Sequence, residues 1–128
     1  TSVLPQSSGG WATDQADLFI GYSDPSALPG LATAAAETLN STQTLPDGRV
    51  RMVTSGIAID RTEQLYPGFH GRGIGPIVLH ELGHVLNLGH VDDTEQLMSP
   101  VHSGASTNRL QPGDRAGLAV LASLPCFG

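Results

Sequence analysis

Lysine is absent from this chain, and its six arginines stand against twelve acidic residues, which gives a net charge of −6. A surface with so few cations suits nucleic acid poorly, so we predict no nucleic-acid partner. Long apolar runs are also missing: no stretch approaches the roughly 20 residues of a membrane helix, so no membrane span is predicted. Aromatic residues make up 5% of the chain and hydrophobic residues 39%, enough for one core of modest size in 128 residues.

Cysteine occurs once, at Cys126. Two interpretations stay open: a small apolar filler, or one half of a disulfide whose partner lies outside this chain. No signal peptide is visible, yet the chain can be the mature part of a secreted precursor, because such segments are removed. We therefore expect a secreted, extracellular protein.

The most informative stretch is residues 80–90, which begins with the pattern H-E-x-x-H. Residues four apart on an α-helix lie on one face, so His80 and His84 can direct two imidazoles at one metal ion. Glu81 follows the first histidine, where it can reach a water activated by the metal without ligating the ion. The pattern therefore predicts a zinc site on a helix.

A third histidine, His90, comes six residues after His84. A helix that ran straight on would carry it away from the metal, so the chain must turn between the two. Asn87 and Gly89 are residue types that turn well, because both tolerate positive φ. A lone histidine is more often a hydrogen-bonded core residue than a ligand, but three at this spacing, with Glu81 among them, favour zinc binding.

Residues 80–90 resemble the zinc signature of the metzincin metallopeptidases, H-E-x-x-H-x-x-G-x-x-H, with Asn87 at the glycine position. The run L-M-S-P at 97–100 resembles the methionine turn of the matrixin branch, in its bacterial form. The resemblance extends over most of the chain from about residue 16 onward. It is carried there by a central strand, the last strand before the active-site helix and the closing helix, at 16–22, 56–60 and 110–118.

The resemblance implies an α/β (α+β) zincin-like catalytic domain over residues 1–128. This domain would hold a twisted mixed sheet with an antiparallel edge strand, an active-site helix and a C-terminal helix. Metzincin domains usually open with a strand and a long backing helix, but only about 15 residues precede Asp17 here. We therefore expect an upstream segment or a second chain to supply the backing helix.

The resemblance also implies one catalytic Zn²⁺, bound by His80, His84 and His90. Glu81 would be the general base for a zinc-activated water that hydrolyses a peptide bond. Met98 would be a platform under the site, since a thioether is a soft ligand, poorly suited to zinc beside three imidazoles. The wall of the substrate pocket is expected at Pro100, Val101, His102 and Ser103.

Two functions stand at this point. The first is a zinc endopeptidase acting on a protein or peptide; the second is a non-catalytic zinc-binding domain of the same fold that serves as an interaction module. Glu81 distinguishes them, because an inert module has no need of it. An enzyme that cleaves some other amide is a third, weaker alternative.

Smaller expectations concern further ligands and loops. Calcium is a candidate second cofactor through Asp17, whose alternative role is that of a strand-end carboxylate. No second zinc is expected, because the loop at 22–30 has no histidine. His70 and His102 are expected to be solvated. Either Tyr22 or Tyr66 could stabilise an oxyanion. Asp92 and Asp93 are expected to orient the loop after His90, and a hydrogen bond to a histidine N–H is one way to do so.

The local pattern predicts the elements around this site. Strands are expected at 17–22, 49–53 and 55–60, with a turn or bulge near Thr54. Residues 31–39 are ambiguous: their alanines favour helix, whereas the resemblance places an edge strand at 30–34, and we favour the strand. The remaining predictions are a turn-rich segment at 40–48, a zinc helix that starts near Gly75 with Pro76 at its first position, and a last helix at 112–124.

Overall fold

The computed structural model describes residues 17–70, 73–101 and 108–125 in full, and the backbone of 6–7 and 10–11. The chain forms two compact units, Thr1–Glu63 and Gln64–Gly128. Within the described residues, no helix is long and apolar enough to cross a membrane. Cys126 lies outside the described residues, so its two interpretations stay open.

The first unit is built on a mixed sheet of three strands, β3 (Leu18–Ser23), β4 (Ala36–Thr44) and β5 (Val50–Asp60), in the order β3-β5-β4. β3 runs parallel to β5, and β4 is an antiparallel edge strand. Two shorter strands, β1 (Gln6–Ser7) and β2 (Gly10–Trp11), pair antiparallel with each other. With the two helices of the second unit, this sheet confirms the predicted α+β class and its antiparallel edge strand.

The central strand β5 carries the core of this unit. Every residue from 54 to 60 is buried, as expected for a strand with a neighbour on each side. Ala58 packs with Leu31, and the partly buried Phe19 and Leu28 cover them. Opposite β4 the register shifts: Ser41 pairs with Thr54 but Thr42 pairs with Met52, so Val53 is the extra residue of a β-bulge. The predicted bulge near Thr54 is therefore confirmed.

The edge strand exists, but its predicted position is wrong. Residues 29–32 form a 3₁₀ helix, Pro29–Ala32, and the strand begins only at Ala36. Proline suits the first turn of such a helix, and the buried Leu31 anchors it. The turn-rich prediction for 40–48 is also wrong, because β4 continues to Thr44. The turn itself lies between β4 and β5, where Gly48 has φ +84°.

The predicted strand at 17–22 is confirmed as β3, with one difference in burial. Ile20 is 47% exposed, so the strand is not buried throughout. Side chains alternate between the faces of a strand, and apolar composition alone does not say whether both faces are covered. The apolar sequence of this strand therefore does not reveal that Ile20 is exposed.

The second unit holds two helices, α1 (Ile74–Val85) and α2 (Pro112–Ala122). α1 starts close to the predicted residue, but Pro76 is its third residue and not its first. A proline is still tolerated there, because the first four N–H groups of a helix have no partner within it. α2 starts at the predicted proline and ends two residues before the predicted Leu124.

Candidate metal centre

Three histidine side chains of the second unit converge on one point. His80 and His84 project from α1 one turn apart, and His90 comes from the segment after the helix. Their Nε2 atoms lie 3.2 Å apart for His80 and His90, 3.1 Å for His80 and His84, and 3.0 Å for His84 and His90. The structure thus brings together all three residues that the sequence pattern singled out.

The turn that returns His90 to the helix is a Schellman motif centred on Asn87. Asn87 has φ 73°, and among the described residues it is the one non-glycine residue with positive φ. Its N–H donates to the His84 carbonyl at 2.9 Å, and the N–H of Leu88 donates to the Gly83 carbonyl at 2.9 Å. Asn87 therefore does what the sequence predicted. Gly89, also named for the turn, does not adopt positive φ.

Two backbone carbonyls orient the histidine rings. The Nδ1–H of His80 donates to the Leu97 carbonyl at 2.7 Å, and the Nδ1–H of His84 donates to the Leu88 carbonyl at 2.7 Å. A carbonyl is only an acceptor, so in these neutral rings Nδ1 carries the proton and Nε2 keeps its lone pair. The lone pairs of both rings are then available to a metal ion.

Asp93, one of the two aspartates predicted to orient the loop after His90, accepts its hydrogen bonds within that loop. Asp93 accepts from the N–H of Glu95 at 3.0 Å and from Nε2 of Gln96 at 3.1 Å. These hydrogen bonds lower the pKa of Asp93. Asp93 therefore closes the turn at 93–96 in the loop after His90, through Glu95 and Gln96 and not through a histidine.

The arrangement fits a small cation that prefers nitrogen ligands. Donors about 2.0–2.1 Å from a tetrahedral zinc ion lie about 3.3–3.4 Å apart, within a few tenths of an ångström of the observed separations. Loss of water around the ring lowers the pKa of His90, the charge of His84 lowers it further, and Glu81 acts in the opposite direction. The net shift favours the neutral imidazole, which is the form that ligates a metal.

Met98 lies buried beside the metal-binding helix, with 1% of its surface exposed. A Cβ added at Gly83, between His80 and His84 on α1, would collide with the Met98 sulfur. The thioether therefore approaches the helix at the glycine that lies between the two helix histidines. This contact supports the predicted platform.

Asp114 is a site-supporting residue that sequence reasoning missed. Its side chain is buried, and it accepts hydrogen bonds from the N–H groups of Leu97 at 2.9 Å, Met98 at 3.1 Å and Gln111 at 2.7 Å. The signal was an acidic residue in the first turn of a predicted helix, which is a favourable place for a carboxylate. Its hydrogen bonds to residues 97 and 98 could not be predicted, because no local sequence pattern marks contacts between residues so far apart in the chain.

The other predicted site residues differ in burial. Glu81 is buried on α1 next to His80. Pro100 and Val101 are exposed, while His102 and Ser103 of the expected pocket wall lie outside the described residues. His70 is exposed, as predicted, and Tyr66 is 62% exposed.

Comparison with known proteins agrees with this geometry. The family model described as Matrixin matches residues 9–122. Matrix metalloproteinase-19 of mouse is 39% identical over 67 residues, which is 51% of this chain and 13% of that protein. The human matrix metalloproteinase-19 is 39% identical over 54 residues, 41% of this chain and 11% of that protein.

The chain belongs to the matrixin family, a family of zinc metallopeptidases. The matched segments cover only about an eighth of the length of these curated relatives.

Proposed function

We propose that this protein is a zinc-dependent endopeptidase. The observation that carries the proposal is the set of three imidazole Nε2 atoms, 3.0–3.2 Å apart, with Glu81 buried beside the first of them. His80, His84 and His90 would hold the ion. Zinc in this position supplies Lewis acidity, which polarises a peptide carbonyl and makes water more acidic.

The protein side chains supply binding and proton transfer. Glu81 accepts a proton from the attacking water and delivers it to the amine that leaves when the peptide bond breaks. The carbonyls of Leu97 and Leu88 hold the two helix histidines in one tautomer, so the ligands need not reorganise when the metal binds.

We also propose an extended peptide as the substrate. β4 is the antiparallel edge strand of the three-stranded sheet, whose other edge is β3, and an edge strand offers backbone N–H and C=O groups to an extended peptide. The strand that would receive the substrate is then Ala36–Thr44, later in the chain than the sequence alone placed it. Secretion and an upstream backing helix also remain proposals.

The test is cleavage of casein, or of a quenched fluorescent peptide, with and without a zinc chelator and with zinc added back. We expect activity that the chelator removes and zinc restores. Glu81→Gln should retain zinc and fold but lose about 10²–10⁴-fold in kcat, because the proton acceptor is gone. The matched control is Glu95→Gln, an exposed carboxylate on the loop after His90, which should retain activity.

Three outcomes of these assays would contradict the proposed endopeptidase or the proposed role of Glu81. A chain that binds zinc but cleaves nothing supports the interaction module. Near wild-type activity in Glu81→Gln contradicts the proposed proton acceptor. Hydrolysis of small amides without cleavage of peptides supports the third alternative.

A further inference from the structure

The side-chain amide of Gln96 connects the loop after His90 to the start of α2. Its Oε1 accepts from the N–H of Gly113 at 2.9 Å and from the N–H of Asp114 at 3.3 Å. Its Nε2 donates to Oδ2 of Asp93 at 3.1 Å. The amide thus accepts from the N–H of Gly113, shares the N–H of Asp114 with the Gln111 side chain, and donates to a carboxylate.

Gly113 gives this amide the room it needs. A Cβ at position 113 would lie 2.7 Å from the Gln96 Oε1 and 3.0 Å from its carbonyl carbon. Gly113 does not adopt positive φ, so its backbone shape does not require glycine. The glycine therefore leaves room for the Gln96 amide, which a methyl group at position 113 would displace.

The same segment continues directly to the metal ligands. Gln96 is followed by Leu97, whose N–H donates to Asp114 and whose carbonyl accepts from His80 at 2.7 Å. Gln96 and Asp114 thus join one short segment to the N-terminus of α2. Displacing that segment displaces the carbonyl that fixes the His80 ring.

We propose that Gln96 is a positioning residue for the metal centre, which holds the Leu97 carbonyl against His80 and thereby slows the release of zinc. The inference rests on the proposed zinc function. The amide does both tasks here, because its NH2 group donates to Asp93 and its oxygen accepts from the helix. A carboxylate at this position would lose the donor and would be repelled by Asp93.

The first experiment removes the hydrogen bond between Gln96 and Asp93 and then restores it with donor and acceptor exchanged. Gln96→Ala and Gln96→Glu should each release zinc to a competing chelator roughly tenfold faster, the lower end of the effect seen when partners of metal ligands are lost. The double variant Asp93→Asn, Gln96→Glu reverses the polarity of the pair while the carboxylate still accepts from the helix. Its release rate should return to within about threefold of wild type.

The second experiment uses Gly113→Ala in two backgrounds. In the wild-type chain the added methyl should displace the amide, lower the Tm and speed zinc release. In Gln96→Ala the methyl has no amide to displace, and alanine is the better helix former, so the Tm should rise. This change of sign identifies the contact even if one single variant folds poorly.

The control is Glu95→Ala, the neighbouring exposed side chain, which should leave zinc release unchanged. The absorption spectrum of the cobalt-substituted protein reports ligand geometry, and it should change in Gln96→Ala but not in the control. Unchanged zinc release in Gln96→Ala, no recovery in the double variant, or the same effect of Gly113→Ala in both backgrounds overturns the proposal.

Zinc release is measured without substrate, so the two proposals fail in different ways. If the wild-type chain binds zinc but cleaves no peptide, the proposed peptidase activity is contradicted. The role of Gln96 is then decided by the zinc release rates alone. If the wild-type chain is an active peptidase but the Gln96 variants release zinc at the wild-type rate, only the positioning role of Gln96 is contradicted. A wild-type chain with no affinity for zinc overturns both.

Discussion

The carboxylate of Asp114 accepts a hydrogen bond from the backbone N–H of Met98 at 3.1 Å, which joins α2 to the methionine beside the three-histidine cluster. Its other oxygen accepts from Leu97 and from Gln111. The side chain is 3% exposed, so water does not replace these bonds if they are lost. One buried carboxylate therefore fixes the segment whose carbonyl orients His80.

We expect Asp114→Asn to lower the free energy of unfolding by about 1–3 kcal/mol, because at least one buried N–H group would lose its acceptor. Denaturant titration measures this change. The matched control is Asp92→Asn, an exposed aspartate of the same unit, which should change stability by less than about 0.5 kcal/mol. Equal stability of the two variants would contradict the account of Asp114.

The left-handed turn at Asn87 predicts different effects on stability for two substitutions. Asn87→Gly should be close to neutral, because glycine adopts φ near 73° without strain. Asn87→Val should cost about 1–2 kcal/mol and should weaken zinc binding, because a β-branched residue resists this conformation and His90 would move. Unfolding curves and zinc titration of both variants check it; if valine is tolerated as well as glycine, the turn does not set the position of His90.

Asp24 predicts a pH dependence in the first unit. Its carboxylate accepts from the Ser26 hydroxyl and the Arg61 guanidinium, and these bonds, the Ser26 bond most of all, lower its pKa to about 2. A lowered pKa stabilises the fold above the unfolded value of about 3.9, and this contribution is lost as pH falls toward 2. The difference in denaturation midpoint between wild type and Asp24→Asn should therefore shrink between pH 4 and pH 2, and a constant difference would rule this out.

Zinc should stabilise the protein in a pH-dependent way. At free zinc of about 100 times Kd, the gain is about 2.7 kcal/mol at neutral pH. The gain should fall as pH drops through the histidine range, because protons compete for the ligand nitrogens. The lowered pKa of His90 acts in the same direction without metal: the unfolded chain binds the proton more readily, so stability falls as pH drops through about 6.5. Thermal melts from pH 8 to 5, with and without zinc, measure both effects, and His84→Ala should remove the zinc-dependent one.

The metal-binding histidines could be predicted because a helix converts spacing in sequence into proximity in space. His80 and His84 share one helix face, and Asn87 is one of few residue types that accept the turn. What holds these ligands could not be predicted in the same way. The carbonyls of Leu97 and Leu88 belong to the main chain, which every residue has, so no residue type marks them.

The edge strand shows a different limit. The alanines around residue 34 favour helix locally, but pairing of β4 with β5 from Ala36 to Thr44 decides the conformation. The sequence of residues 40–44 does not indicate that they pair with β5, whose residues come later in the chain. The position of a strand is set by its neighbour, and so it was predicted several residues too early.

The Schellman turn at Asn87 also bears on the order in which the molecule forms. The three histidines all lie within residues 80–90, and the turn brings His90 back to the other two. Their assembly therefore involves the closure of a short loop, an event of about 10–100 ns. The sheet, in contrast, must bring Leu18 beside Ser55. Long-range pairing of this kind is slow, because the entropy of closing the loop is lost before the contacts form. A nascent chain can therefore capture a metal ion while its sheet is still unformed.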